Sequence, residues 1–194
     1  MKKLLISGFE PFGGESINPS WEAVNSLPSK QGGYELTKIL LPVVFGKAAD
    51  MLITKAEEIR PDVILCIGQA GGRSVITPES IGINRRNGRI PDNEGNAPVD
   101  DPIIENGAAA YFSGLPVLKI AEAVSAAGVP AAVSYSAGAY VCNDVLYSLL
   151  AYVEGTDVRA GFIHVPYATE QGKTPSMDMA DIIKGITIAI ESIE

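Results

Sequence analysis

Residues 61–73 read PDVILCIGQAGGR. From Val63 to Gly68 the run is apolar without alternation, the pattern of a strand covered on both faces rather than one with a face in water. The glycine-rich loop after it marks its end. Just upstream, in GKAADMLITKAEEI (46–59), Ala48, Leu52, Ala56 and Ile59 recur at spacings of three and four, which predicts a helix closed by Pro61. A helix feeding a doubly buried strand is part of a βαβ unit.

The rest of the chain repeats the unit. KKLLISGF (2–9) reads as a compact buried strand, NPSWEAVNSL (18–27) as a helix with Asn18 as N-cap and Pro19 at its first position, and YELTKILLPV (34–43) as a second strand. Farther on, PVLKIAEAVSAAG (116–128) predicts a helix, AAVSYS (131–136) a strand, VCNDVLYSLLAYV (141–153) a helix, AGFIHV (160–165) a strand and SMDMADIIKGITIAIESI (176–193) a closing helix. Continuous apolar strands separated by helices imply an α/β fold: a single-domain open α/β/α sandwich with a mainly parallel, twisted sheet. Residues 69–107 break the rhythm. Gly, Asn, Asp, Pro and Arg dominate there, with extended SVITPESIGIN (74–84) in the middle, and so long a stretch without helix usually serves a site.

At 194 residues the chain is expected to form one domain, residues 1–194, burying roughly 70% of its unfolded surface. Fifteen basic against 23 acidic residues give a net charge of −8, which argues against nucleic acid as a partner. The basic cluster RRNGR (85–89) is the local exception and reads first as a solvated loop. No stretch has the 18 or more apolar residues of a membrane span, and the initial LLI is broken by Ser7, Gly8 and Glu10, so neither membrane insertion nor export is expected. Two cysteines, one histidine and no CxxC argue against a disulfide framework or a zinc site. A reducing cytoplasm is the expected compartment.

In such sheets the ligand site lies outside the carboxyl ends of the strands. The loops there are GFEPFGG, GQAGG, SYSAGAYVC and HVPY. Cys66, inside its strand, reads as an inert core thiol. Cys142 follows a small-residue turn at the first turn of a helix, where unpaired N–H groups favour a thiolate and can hold an oxyanion. His164, the lone histidine, ends a strand on the same edge. Each has a plain structural reading taken alone; together they make a nucleophile and a general acid/base. A third group should fix the imidazole. Asp144 lies two residues along the helix, a rotation of about 200° away from Cys142. Glu79 is the preferred choice, with Asp92, Glu94, Asp100 and Asp101 competing in the same irregular segment. The glycine-rich loops lack the residues of a P-loop or a dinucleotide fingerprint. Phe9 and Phe12, flanking Glu10-Pro11, instead suggest an apolar, flat-sided pocket to which Tyr140 and Val141 add a wall.

GFEPFGG, NPSWEAV, PDVILCIGQAGGR, ITPESIGIN, RIPDNEGNAPVD, SAGAYVCNDVLY and GFIHVPY followed by EQ occur in one order along the whole chain. Together they resemble the pyroglutamyl peptidase I family, also called pyrrolidone-carboxylate peptidases, cysteine peptidases of family C15. The resemblance implies Cys142 as nucleophile, His164 as general acid/base and Glu79 as orienting carboxylate. It also implies that Phe9 and Phe12 bracket a pyroglutamyl ring, that Gln69, Tyr140 and Val141 line the same pocket, and that Arg89 of RIPDN lies near the nucleophile. The substrates would be small peptides with an N-terminal pyroglutamate, the enzyme a cytoplasmic homotetramer, with no cofactor and no metal. Tyr140 stands where many members have Phe, which adds a hydroxyl at the pocket. Two alternatives stay open on residues alone: another cysteine hydrolase of amidotransferase or deglycase type, and a non-catalytic small-molecule binder.

Overall fold

A computed structural model describes all of residues 1–194. The first half of the chain forms strand β1 (Lys2–Phe9), helix α1 (Pro19–Ser26), strands β2 (Lys30–Gln31) and β3 (Tyr34–Leu41), helix α2 (Lys47–Ile59) and strand β4 (Val63–Gln69). Three short strands follow, β5 (Thr77–Glu79), β6 (Ile81–Ile83) and β7 (Ala110–Phe112). The second half holds α3 (Val117–Ala126), α4 (Val141–Val153), β8 (Arg159–Val165), β9 (Tyr167–Ala168), β10 (Ser176–Met177) and α5 (Met179–Glu191).

Six strands make one sheet in the order β2-β3-β1-β4-β8-β5. The four central strands are parallel, and the short edges β2 and β5 are antiparallel. Alternation along each strand sends its side chains to two apolar layers. Leu4, Ile6, Leu65 and Ile163 pack with α1, α3 and α5, whereas Leu5, Ile64, Cys66 and Phe162 pack with α2 and α4. This is the three-layer sandwich with a mainly parallel sheet expected from the apolar runs. From β1 the chain passes outward to β3 and then crosses back to β4 on the other side, so the winding reverses between β1 and β4. A crevice for a ligand belongs at the carboxyl ends of those two strands, at Phe9 and Gln69.

Local chemistry seats α1 against that end. Asn18 caps the helix, its side chain accepting the Ser20 N–H, and Pro19 occupies the first turn where no N–H is needed. Gly8 allows the close approach: a Cβ there would lie 2.6 Å from the Trp21 Cα. The Phe9 N–H donates to the Ser20 hydroxyl at 3.0 Å, tying strand end to helix start.

The one expected strand that does not form as such is AAVSYS. It lies beside β5 but pairs only through isolated bridges, Ile76 with Ala131 and Glu79 with Ser134. The cause is Pro78. Bonds run from Ile76 N–H to Pro130 O, Ala132 N–H to Ile76 O, Ser134 N–H to Pro78 O and Ser80 N–H to Ser134 O, but Pro78 has no N–H to continue the ladder between them.

Candidate active site

Every parallel strand delivers its last residues to the same edge. β8 ends at His164-Val165, β4 at Gln69 and β1 at Phe9, while α4 begins at Val141 and carries Cys142 in its first turn. His164 is two residues from Phe162 along β8 and so faces the α2/α4 layer, the side on which Cys142 packs. The rings of Phe162 and His164 lie 4.7 Å apart. A Cβ on Gly68 would approach the Phe162 ring to 2.6 Å and the Cys142 Sγ to 3.1 Å, so only glycine lets β4 pass this closely under the thiol. The imidazole thus packs on Phe162, and the Phe162 ring and the thiol both flank Gly68.

Glu79 reaches them from the antiparallel edge. The register of β5 against β8 sets Glu79 opposite Phe162 and Thr77 opposite His164. Glu79 is fully buried, and its Oε1 stands 2.7 Å from His164 Nδ1. A carboxylate only accepts, so the ring proton resides on Nδ1 and Nε2 is left as an acceptor. Of the competing carboxylates, none reaches the imidazole. Asp144 accepts from Arg86 and from the Gly46 N–H, and Asp92 closes its own turn by accepting from the Glu94 and Asn96 N–H groups.

Arg73, the residue after the GQAGG loop, is the member sequence reasoning missed. Its Nη1 donates to Glu79 Oε1 at 2.6 Å and its Nη2 to Ser136 O at 2.9 Å, so one guanidinium grips both the carboxylate and the turn leading to Cys142. The signal was in plain view: a single arginine ending a glycine-rich loop on the ligand edge of the sheet.

Burial governs the charge states. It works against ionisation of Glu79, but the hydrogen bond from His164 and the charge of Arg73 outweigh it and hold the carboxyl below its ordinary value. Burial also holds His164 below its ordinary value, against the pull of Glu79 in the other direction. It pushes the Cys142 thiol up to about 12, and the charge of Glu79 adds to that. For this thiol, desolvation opposes the thiolate that the helix start was expected to favour. At rest the site holds a thiol, a neutral imidazole and an ionised carboxylate. Cys66 is fully buried in its strand, and burial pushes its thiol up to about 12.

Beside the thiol is a small cavity of about 30 Å³, well below the usual volume of a ligand site. Cys142 forms part of its wall together with Phe9, Phe12, Tyr140, Val141 and Gln69. Val43 and Asn18 complete it, neither of which was singled out as a pocket residue. Phe12 leans on the Tyr140 ring at 6.2 Å, and Phe45 meets Tyr140 edge-on at 5.2 Å. Phe9 is almost wholly buried and tilts against Phe162 at 6.1 Å, so it serves the core as well as the pocket. The first turn of α4 has no side-chain cap, which leaves its N–H groups available to an oxyanion beside the thiol.

Two expectations shift. The Tyr140 hydroxyl does not enter the cavity as a free group; it donates to Pro91 O at 3.1 Å. Arg89 lies on an exposed bend and is not among the residues that wall the cavity. In the same basic cluster, Arg86 is taken up by the buried Asp144, so RRNGR is only in part the solvated loop it resembles.

Comparison with known proteins extends these relationships over the whole chain. A curated relative named pyrrolidone-carboxylate peptidase 1, from Streptococcus pneumoniae serotype 4, is 48% identical over 197 residues, covering 98% of this chain and 92% of the relative. The crystal structure of pyroglutamyl peptidase I from Bacillus amyloliquefaciens superposes with a TM-score of 0.95 at 45% identity, covering 99% of this chain and 94% of that one. The pyrrolidone carboxyl peptidase from Thermococcus litoralis gives 0.94 at 41% identity, covering 100% and 93%. The family described as pyroglutamyl peptidase, peptidase family C15, matches residues 2–194. Sequence and backbone agree along nearly the full length, and the chain belongs to the pyroglutamyl peptidase family.

Proposed function

We propose that this chain is a pyroglutamyl peptidase: a cysteine exopeptidase that cleaves the amide bond after an N-terminal 5-oxoproline. The observation that carries the reading is that Cys142 forms part of the wall of the small aromatic cavity made by Phe9, Phe12 and Tyr140. A flat lactam ring without an N-terminal ammonium asks for such faces and for no countercharge, and the cavity wall contains no carboxylate.

The charge states define the sequence of proton moves. As the ring settles, His164 Nε2 takes the Cys142 proton and Sγ attacks the pyroglutamyl carbonyl carbon. Glu79 steadies the imidazolium, and the free N–H groups at the start of α4 hold the oxyanion. His164 returns the proton to the departing amine as the C–N bond breaks, leaving a thioester. Water, deprotonated by His164, cleaves the thioester; pyroglutamate leaves and Sγ recovers its proton. The proposed roles are Cys142 as nucleophile, His164 as acid/base and Glu79 as orienting carboxylate, with Phe9, Phe12, Gln69, Tyr140 and Val141 around the ring.

The reading extends to the setting of the enzyme. Residues 1–194 act as one catalytic domain, supported by two apolar layers that share one sheet. Two unpaired cysteines suit the reducing cytoplasm. A homotetramer is supported by exposed apolar side chains such as Phe112 and Leu118, which an assembly would cover. No helix is long and apolar enough to cross a membrane. The test is release of aminomethylcoumarin from its pyroglutamyl amide. Wild type should turn it over and Cys142→Ser should not; undiminished turnover by the variant would end the proposal.

A further inference from the structure

The cavity has two amide side chains in its wall, Asn18 and Gln69, and their orientations decide whether the pocket offers donors or acceptors. An amide's oxygen and nitrogen are told apart by their partners, and a backbone N–H is an unambiguous one because it only donates. Asn18 Oδ1 accepts from the Ser20 N–H at 3.1 Å and from the Ser20 hydroxyl at 2.8 Å. Its Nδ2 spends one hydrogen on Glu10 O at 2.9 Å and keeps the other.

Gln69 is oriented at one remove. Gln171, in the short 3₁₀ turn after β9, accepts the Ala168 N–H on its Oε1 at 2.9 Å. Its Nε2 must therefore donate, and it does so twice, to the Glu15 carboxylate and to Gln69 Oε1, each at 3.0 Å. The oxygen of Gln69 is thereby occupied from behind, and its NH₂ end, with two hydrogens, is left for the cavity. Gln69 is only 7% exposed, so an amide turned the wrong way there would lack water to compensate it. Glu15 is in turn held by Lys173, so the anchor behind Gln171 is itself fixed.

We propose that Gln171 is a specificity-determining residue that acts through Gln69: it sets the amide so that the pocket presents N–H donors, and no acceptor, to the ring carbonyl of the substrate. The proposal rests on the cavity being the pyroglutamyl site. It also gives a use to the glutamine of the EQ pair after HVPY, which stands outside both the triad and the pocket wall. Proline and cyclopentane have the same ring outline without the carbonyl and gain nothing from these donors, so discrimination resides in the polarity of one amide.

The experiment compares kcat/KM on two coumarin amides, pyroglutamyl and cyclopentanecarbonyl, the second lacking the lactam. Wild-type turnover of the first, in preference to the second, tests the reading of the site by itself. Given that, Gln171→Met should lower kcat/KM on the pyroglutamyl amide by about 10- to 100-fold, mostly through KM, and leave the cyclopentanecarbonyl amide unchanged. Gln69→Met should lower kcat/KM on the pyroglutamyl amide by a similar factor, and the double variant should lose no more on that substrate than either alone. Gln171→Glu keeps the acceptor for Ala168 but turns the donor into an acceptor, so Gln69 must reverse; the selectivity ratio should fall at least as far as in Gln171→Met. Equal losses on both substrates, additive losses in the double variant, or a wild-type ratio in Gln171→Glu would each overturn the proposal.

Discussion

Arg73 Nη1 and Glu79 Oε1 are 2.6 Å apart, on the same carboxylate oxygen that meets His164. The guanidinium therefore does two opposed things. It favours the ionised carboxylate that orients the imidazole, and its charge disfavours protonation of that imidazole. Replacing Arg73 by Met removes a nearby positive charge, so the His164 pKa rises and the acid limb of kcat/KM moves to higher pH. Loss of the grip on Ser136 O also loosens the turn before Cys142, and kcat should fall by up to about 100-fold. Arg73→Lys, which restores the charge but not the fork, should recover the pH profile more fully than the rate. A pH–rate profile that does not move in Arg73→Met would refute the coupling.

Glu79→Gln should push the same limb the other way. The hydrogen bond and charge of Glu79 raise the His164 pKa against burial. With the charge gone the imidazole is harder to protonate, so the limb moves to lower pH even as the enzyme weakens. The imidazolium formed during attack also loses its counterion, and a fall in kcat of about 10²- to 10⁴-fold is expected, by comparison with the loss of the aspartate in serine proteases. Titration of the single histidine by NMR checks the direction without turnover. A higher His164 pKa in Glu79→Gln would contradict the assignment of charges.

Much of this arrangement was legible before any coordinates. The parallel core follows from β1, β4 and β8 being apolar without alternation, and α1 from Asn18 and Pro19 in adjacent positions. Cys142 and His164 could be placed on one edge because strand ends and helix starts fix edges in a βαβ chain. What stayed hidden depends on pairings distant in sequence. The split at Pro78 shows only once 76–80 lies beside 130–134. Arg73 acquires its role from Glu79 and Ser136 together, and no spacing in the sequence states that. The desolvation of the thiol stayed hidden because a helix start can be read from sequence, whereas the burial that opposes its effect cannot.

Tyr140→Phe separates a latch from a substrate contact. Its hydroxyl donates to Pro91 O at 3.1 Å, while the Asn93 side chain on the same loop donates to Glu10 and to Pro11 O. The loop thus joins the walls of the pocket, and the hydroxyl serves the loop. The hydrogen bond is near the surface, so its loss should cost about 0.5 kcal/mol, or 1–2 °C in Tm. KM for a pyroglutamyl amide should change by less than about threefold. A tenfold rise in KM without loss of Tm would mean that the phenol binds substrate instead.

Asp144 is fully buried two residues beyond Cys142, yet it turns away from the thiol, accepting from Arg86 Nε and from the Gly46 N–H that opens α2. It joins α4 to α2 and to the loop containing Arg86, so its part is to hold the helix of Cys142 in place. Asp144→Ala strands a partly buried guanidinium and an unpaired N–H, which should cost about 3 kcal/mol and lower Tm by roughly 6–12 °C. Most of that cost comes from the abandoned partner. Arg86→Met in the Asp144→Ala background should therefore restore part of the lost stability, although each single change destabilises. Thermal denaturation of the four proteins in the cycle reads the coupling directly. If the double variant unfolds at a temperature lowered by the sum of the two single effects, the pair is not coupled and the helix is held by packing alone.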